Sequence, residues 1–550
     1  MTPRFGHIGT VNLTRRSSIL LSTALTRHTL SHIRDTSTMS FKASTAPAED
    51  FLDFVNFSPT PFHAVQSAKQ RLDKAGYKQI KERDPWSSTL VPGGKYYVTR
   101  NASTIIAFAI GKKWKPGNPF AMVGAHTDSC VLRLKPVSKR QSEGFLQFGV
   151  ETYGGGMWHS WFDRDLGIAG RLMAKTDKGV EQKLVNLNRP ICRIPSLAVH
   201  FGGSVPFEFN KEAQLFPIAG LVEAELKRQG KTEEEAKKEA DAKSSDFHPL
   251  KTPSQRHLPY LLEQVAAEAG IAPESVEDFE LILYDVQKST LGGLNNELIF
   301  SARLDNLMMT YCAIQGLINS TGPNGKSLDN ETTIRLAAGF DHEEIGSTSA
   351  QGADSNVLPS VLRRLSCLPA SNDAQSDASY DRAGVNGDAA DVSTAFEQSL
   401  SSSFLVSADM AHSVNPNYAD KYEREHKPQM NKGTVLKINA NVRYATNSPG
   451  IVLMQEIARR AKRASYDARS EGSGVPLQLF VVKNDSPCGS TIGPMLSSNM
   501  GVRTLDLGNA QLAMHSIRET GGTYDVEHAI NLFESFYEHY GELESSIFVD

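Results

Sequence analysis

Nowhere in its 550 residues does the chain hold a long apolar run free of charges, which argues against a membrane-spanning helix. Cysteine is scarce. Cys130, Cys192, Cys312, Cys367 and Cys488 are odd in number, scattered, and form no CxxC pair. That argues against a disulfide framework or a zinc ribbon and fits a reducing compartment. A strong excess of either charge is also lacking. With a formal net charge of -4, nothing implies nucleic acid or a membrane surface as partner. Acidic residues are absent from Met1 to Arg34, where Arg4, Arg15, Arg16, Arg27 and Arg34 stand among many Ser and Thr. Residues 1–40 therefore read as an N-terminal extension. A mitochondrial presequence has this composition, and a disordered arm or a start at Met39 is the plainer reading. The rest is ordinary for a globular protein, 40% hydrophobic and 22% charged, and long enough for two or more cores.

What is present is a set of imidazoles and carboxylates placed after apolar runs. His126-Thr127-Asp128 follows Phe120 to Ala125. Four clusters further on can be read with it: Arg303-Leu304-Asp305-Asn306, Asp341-His342-Glu343-Glu344, Ser407-Ala408-Asp409-Met410 and Met514-His515-Ser516. Two imidazoles and three carboxylates can hold two divalent ions if one carboxylate bridges, and a further carboxylate beside a ligand supplies a general base. His126, Glu343-Glu344 and Asp409 each lie at the end of a strand-like run, where open α/β sheets collect their ligands. Glu343 and Glu344 point in different directions, so one can bind metal while the other faces a water whose pKa the metal lowers towards ~7. Asp128 is placed to orient His126.

Singly, each cluster has a plainer reading. His126 with Asp128 is often a buried, hydrogen-bonded pair. Asp305 and Asp409 could be helix N-caps, Glu-Glu a solvated turn, and His515 alone is weak. The set carries the argument. His342-Glu343 does not continue as HExxH, because position 346 is Gly, so the single-zinc protease helix is excluded. Gly489-Ser490-Thr491-Ile492-Gly493 has Thr where a nucleophile elbow needs Ser. Gly325-Lys326-Ser327 lacks the earlier glycine of a phosphate loop, and no cysteine has an obvious histidine partner.

The expected fold class is α/β, a mixed-sheet domain interrupted by a β-rich insertion. Residues 41–131 and 289–550 form the two parts of the catalytic domain, and 132–288 form the insertion. Helical spacing runs from Glu49 to Gly76, from Leu307 to Ile318 and from Ile451 to Ala464. Strand-like runs include Lys95 to Val98, Thr104 to Phe108, Phe145 to Val150, Leu281 to Tyr284, Ile334 to Phe340 and Phe404 to Val406. Glu223 to Lys243 reads as a charged, solvated helix, and Ser371 to Ser399 as a mobile surface loop.

Longer motifs narrow the field: Val123-Gly124-Ala125-His126-Thr127-Asp128-Ser129, Glu151-Thr152-Tyr153-Gly154-Gly155-Gly156, Trp161-Phe162-Asp163-Arg164-Asp165-Leu166, Glu343-Glu344-Ile345-Gly346-Ser347, Ser407-Ala408-Asp409-Met410-Ala411-His412 and Met514-His515-Ser516-Ile517-Arg518-Glu519. From about Ser40 to the C-terminus the chain resembles the aspartyl aminopeptidases, dinuclear zinc exopeptidases whose relatives include vacuolar aminopeptidases. The resemblance implies that Asp305 bridges two zinc ions, with His126 and Asp409 completing one site and Glu344 and His515 the other. It implies Glu343 as the general base, Asp128 as the carboxylate behind His126, and His200 as a group reaching a neighbouring subunit's active site. It implies His412, Lys437 and Tyr444 as substrate contacts, with Lys437 the cation for an acidic side chain. The implied reaction is release of N-terminal Asp or Glu from peptides, with a neutral, Leu-preferring vacuolar-type activity as the alternative. Zn2+ is the implied metal, with Mn2+ or Co2+ at an exchangeable site. The β-rich insertion would be a dimerisation domain within a dodecamer. The implied location is cytoplasmic, with mitochondrial or vacuolar delivery through residues 1–40 as the alternative.

Overall fold

In the computed structural model, which describes residues 44–202, 207–235, 238, 250, 252–368, 392–465 and 474–547, Phe120–His126 is a strand buried at every position. So are Thr104–Ile110, Ile334–Phe340 and Phe404–Ala408. Strands apolar on both faces belong in the middle of a sheet that helices cover on both sides. Nine strands form that sheet, in the order Lys78–Gln79, Lys95–Arg100, Thr104–Ile110, Ile334–Phe340, Phe120–His126, Phe404–Ala408, Arg503–Gly508, Thr434–Ile438 and Leu477–Val481. Alternate residues of the central strand serve different cores. Ala121, Val123 and Ala125 face the helices Leu304–Ser320 and Asp525–Leu543, while Phe120 and Met122 face Val357–Ser366 and Ile492–Met500.

Ile334–Phe340, Phe120–His126, Phe404–Ala408 and Arg503–Gly508 are successive parallel neighbours, so their carboxyl ends share one edge. Phe340 pairs with His126 and Ser407 with Gly124. The register therefore brings Asp341 to Glu344, His126 and Asp409 to one height.

A second sheet takes all its strands from between Val131 and Asp285. Its order is Gly179–Cys192, Leu166–Thr176, Val276–Asp285, Val131–Ser142, Phe145–Tyr153 and Ile218–Leu221, every pair antiparallel. It has its own apolar core, which includes Leu132, Phe148, Trp161, Leu172 and Leu283. It is not detached, because Ala43–Asp550 is one compact unit. Val131 pairs with Tyr153, so this sheet starts and returns beside the strand end that carries His126. A third, five-stranded sheet holds Thr290–Gly292, Leu298–Ser301, Glu519–Gly522, Ala510–Leu512 and Ala411–His412.

Local differences from the sequence reading have simple causes. The helical spacing of Glu49 to Gly76 forms two helices, Ala46–Asn56 and Pro61–Lys74. Pro59 and Pro61 interrupt the hydrogen-bond ladder, and the Thr60 side chain caps the second helix by accepting from the His63 N–H. In the charged run, Val222–Gln229 is helical and stops at Gly230, which is left-handed at φ 65°; most of residues 236–251 lie outside the described residues. The end of the expected surface loop is helical, Ala395–Ser402, anchored by buried Ala395, Phe396 and Leu400; residues 371–391 and the extension 1–40 lie outside the described residues. Among the described residues no helix is long and apolar enough to cross a membrane.

Candidate metal centre

Three of the five clusters reach the shared edge by an abrupt turn. Arg303, His342 and His515 adopt left-handed backbone at φ 58°, 68° and 66°. Non-glycine residues in that region cost about 1–3 kcal/mol each and persist where surrounding packing enforces them, often at sites of function. The first turn throws Asp305 forward from the start of Leu304–Ser320, where Asp305 and Asn306 are themselves non-helical. The second lifts Glu343 and Glu344 off the end of Ile334–Phe340. The third aims the imidazole of His515 inward.

The side chains converge. His126 Nε2 is 3.3 Å from Asp305 Oδ1, 3.5 Å from Asp409 Oδ1 and 3.9 Å from Glu343 Oε2. His515 Nε2 is 3.5 Å from Asp305 Oδ2 and 3.3 Å from Glu344 Oε2. Asp305 thus presents one oxygen to each imidazole. Among the described residues two groups of donor atoms are compact enough to hold an ion, all atoms of each within 4.8 Å: His126, Glu343 and Asp409 in one, Cys130, Glu344 and His515 in the other.

Asp128 stands behind His126, with Oδ1 3.3 Å from Nδ1. Its oxygens also accept the backbone N–H of Glu343 and of Glu344, both at 3.1 Å, and the Tyr153 hydroxyl at 2.8 Å. One buried carboxylate therefore orients an imidazole and the Glu-Glu turn together. Ser129 donates to the Asp305 carbonyl at 2.7 Å, and Cys130 donates to Glu344 Oε2 at 3.2 Å.

Sequence reasoning assigned no role to Tyr153, Cys130 or Glu519. Buried Glu519 accepts the N–H of His515 at 2.9 Å and of Asp305 at 3.1 Å, tying two distant turns together. Its sequence signals are its place at the end of the motif Met514 to Glu519 and its position opening the small-residue strand Glu519–Gly522. The thiol of Cys130 does have a histidine nearby, but that histidine is far away in sequence.

The electrostatics call for cations. Burial, with crowding by Asp409, Asp128 and Asp305 that His126 only partly relieves, pushes the Glu343 carboxyl up to about 8. Burial, then the charge of Asp305, also holds Glu344 well above the usual range. Burial opposes ionisation of Asp305 too, but His126 and His515 hold it well below that range. Burial likewise opposes a charge on His126, yet Glu343, Asp128, Asp305 and Asp409 raise it well above 6.5. The hydrogen bond to Asp305 leads in lifting His515 to about 10. Asp305 Oδ1 and Glu344 Oε1 are buried without a hydrogen-bond donor. Carboxylates at this density need positive charge among them, and imidazole–carboxylate donors with orphaned oxygens fit divalent ions that would replace those protons.

In front of the centre lies a cavity of about 290 Å³ lined by Asp305, Glu343, Glu344, Asp409 and His515, together with His412, Lys437 and Tyr444. Lys437 is buried, only 3% exposed. Its Nζ lies 3.1 Å from Asp409 Oδ2 and 5.4 Å from the centre of the Tyr444 ring. The His412 ring meets that of Phe480, another wall of the cavity, edge-on with centroids 5.8 Å apart. His200 does not line it; it lies on the exposed turn Val199–Phe201 of the β-rich segment.

A mixed α/β sheet with imidazoles and carboxylates gathered at its strand ends defines the class, a metal-dependent hydrolase. Residues 54–537 match the family model of aminopeptidase I zinc metalloproteases (M18), and the chain belongs to that family. It is 62% identical over 508 residues to the aspartyl aminopeptidase of Aspergillus oryzae, covering 92% of this chain and 98% of that protein. Its structure resembles a chain of the Ape4 and Nbr1 complex solved by cryo-electron microscopy, with a TM-score of 0.80, 47% identity, and 94% and 89% of the two chains covered. It also resembles the S. cerevisiae mApe1 dodecamer, with a TM-score of 0.71, 31% identity, and 91% and 98% covered.

Proposed function

We propose that the protein is a dinuclear metalloaminopeptidase releasing N-terminal Asp or Glu from peptides. The observation that carries this is the sharing of Asp305 between two imidazoles, His126 at 3.3 Å and His515 at 3.5 Å, in the wall of a cavity that also holds a buried lysine. His126 and Asp409 would hold one zinc ion, Glu344 and His515 the other, and Asp305 both. When bound, the ions supply Lewis acidity towards the peptide carbonyl and make water a stronger acid.

The chain's own residues do the rest. Glu343 Oε2 would take a proton from the attacking water and return it to the leaving amine. Asp128 keeps His126 and the Glu-Glu turn in register. The carboxylate-rich end of the cavity suits the substrate's free α-ammonium. Lys437 faces the side chain of the first residue, where an unpaired carboxylate would be costly to desolvate. His412 and Tyr444 shape the same wall. The acidic preference is supported by the identity to the Aspergillus oryzae aspartyl aminopeptidase and by the burial of Lys437.

We further take 132–288 as a dimerisation domain, with His200 reaching a partner's site. Leu197, Val199 and Phe201 around it are 58%, 67% and 79% exposed. Exposed apolar side chains grouped in this way suit a contact surface, and the likeness to a dodecameric mApe1 supports a homo-oligomer.

The test is hydrolysis of matched Asp-, Glu- and Leu-terminal peptides, free or N-acetylated, before and after chelation and Zn or Mn add-back. Metal-dependent cleavage confined to unblocked acidic peptides is expected. Leu preference would place the protein with the neutral aminopeptidases. Equal cleavage of blocked peptides would overturn the exopeptidase reading.

A further inference from the structure

A second, smaller opening reaches the centre from behind, lined among others by Ser129, Cys130, Trp161, Asp305, Glu344 and His515. Neither Glu343, Asp409 nor Lys437 lines it. The Glu344–His515 position therefore has a substrate side and a thiol side.

On the thiol side, Cys130 Sγ donates to Glu344 Oε2 at 3.2 Å, and the donor atoms of Cys130, Glu344 and His515 all lie within 4.8 Å. The Glu344 side chain is only 4% exposed, and its other oxygen has no hydrogen-bond donor. The backbone closes over the pair at Gly154, left-handed at φ +82°, where a Cβ would come within 2.8 Å of Cys130 Sγ and 3.3 Å of Glu344 Cβ. Cys130 forms no disulfide, and the hydrolytic mechanism gives it no task.

We propose that Cys130 is a sulfur ligand of the Glu344–His515 position and makes that position select zinc over manganese. The inference rests on the two-ion reading above. As the ion enters, the S–H proton now directed at Glu344 leaves to the buffer. Sulfur and carboxylate oxygen then both donate, and no electron is transferred. Thiolate is a soft donor that zinc, cobalt and cadmium accept and that manganese, an oxygen-seeking ion, does not favour. With Asp305, Glu344, His515 and Cys130 the rear position would have four protein donors, against three at the front. His126, Asp409 and Asp305 leave the front position open, so the front ion is the exchangeable one and water reaches the centre there.

The full-length protein, stripped by chelation and titrated with cobalt(II), tests this by absorption. The wild type should bind two ions and show a near-ultraviolet thiolate-to-cobalt charge-transfer band for one of them. Cys130→Ser and Cys130→Ala should lose the band, while Cys488→Ser, which alters a thiol beside the front cavity, should keep it. In dialysis against mixed zinc and manganese, elemental analysis should show Cys130→Ser shifting the zinc preference of one ion by roughly tenfold or more. Two cobalt ions bound by the wild type without the band would overturn the sulfur ligand and leave the two-ion centre standing. One ion bound with the band would keep the sulfur ligand and overturn the two-ion reading, and one ion without it would overturn both. The wild-type spectrum decides the matter even if a Cys130 variant fails to fold.

Discussion

Glu343 and Glu344 are chain neighbours whose carboxylates face different imidazoles, His126 and His515. That division predicts separable losses. Glu343→Gln keeps the shape but removes the proton acceptor, so turnover should fall roughly 10²- to 10⁴-fold. Metal content, measured by elemental analysis, should stay at the wild-type value, because Asp305, His126 and Asp409 remain. Near-wild-type turnover would remove Glu343 from the mechanism. Lys437→Leu tests specificity. Loss of a charged hydrogen bond to the substrate carboxylate costs about 1.5–3 kcal/mol, so kcat/KM for Asp peptides should fall roughly 10- to 100-fold relative to Leu peptides. The variant also frees Asp409 Oδ2, 3.1 Å away, so metal content must be measured alongside. An unchanged Asp-to-Leu ratio would refute the assignment. At this scale the sequence was informative wherever a ligand-type residue followed an apolar run, as with His126, Glu344 and Asp409. It gave no role to Tyr153, Cys130 or Glu519. Asp128, Glu344 and the Asp305 amide reach them only through sheet pairing and turns that no local pattern encodes.

Among the elements, the strands were legible and the turns were not. An all-apolar run such as Phe120 to Ala125 can only be a buried strand or a buried helix segment, and its shortness favours the strand. The left-handed turns at Arg303, His342 and His515 gave no warning, because long-range packing and not residue preference enforces them. The helix break at Pro59 and Pro61 was written in the sequence but masked by regular apolar spacing on both sides. One element carries a pH-sensitive contact. His257, at the end of the short helix Pro253–Arg256, packs 4.1 Å from the Phe279 ring, and its Nδ1 lies 2.8 Å from the Ser138 hydroxyl. Burial, then the nearby Arg256 guanidinium, lowers its pKa from 6.5 to about 4; Asp278 opposes this and Lys139 adds to it. The unfolded chain therefore binds more protons than the folded one between those values, so the contribution to stability is full above pH 6.5 and is lost as pH falls towards 4. Thermal melting between pH 7 and 4.5 should show His257→Gln with a shallower fall in Tm than wild type, whatever its absolute Tm. Parallel profiles would mean that His257 does not carry the contact's acid sensitivity.

For the whole molecule, the question is whether one chain contains a complete site. Within a chain, His200 lies on an exposed turn and does not line the cavity, while Leu197, Val199 and Phe201 around it present apolar surface to solvent. An isolated apolar residue at the surface is unremarkable, but three within five residues beside a histidine are better explained by a partner that covers them. Two substitutions separate the contact from the chemistry. Phe201→Asp places a charge where the contact would desolvate it, so light scattering should show smaller particles and activity should fall with them. His200→Ala should leave the particle size unchanged and lower kcat by roughly 10²-fold, the scale of losing one transition-state donor. The decisive experiment mixes the two inactive chains His200→Ala and Glu343→Gln after dissociation and reassembly. If His200 acts in the neighbour's site, a mixed pair contains one site with both an intact Glu343 and an intact His200, and activity returns to a substantial fraction of wild type. If His200 serves its own chain, every site in the mixture lacks one of the two groups. Activity would then stay at the level of the separate variants, and the shared-site reading would fall while the metal centre stood.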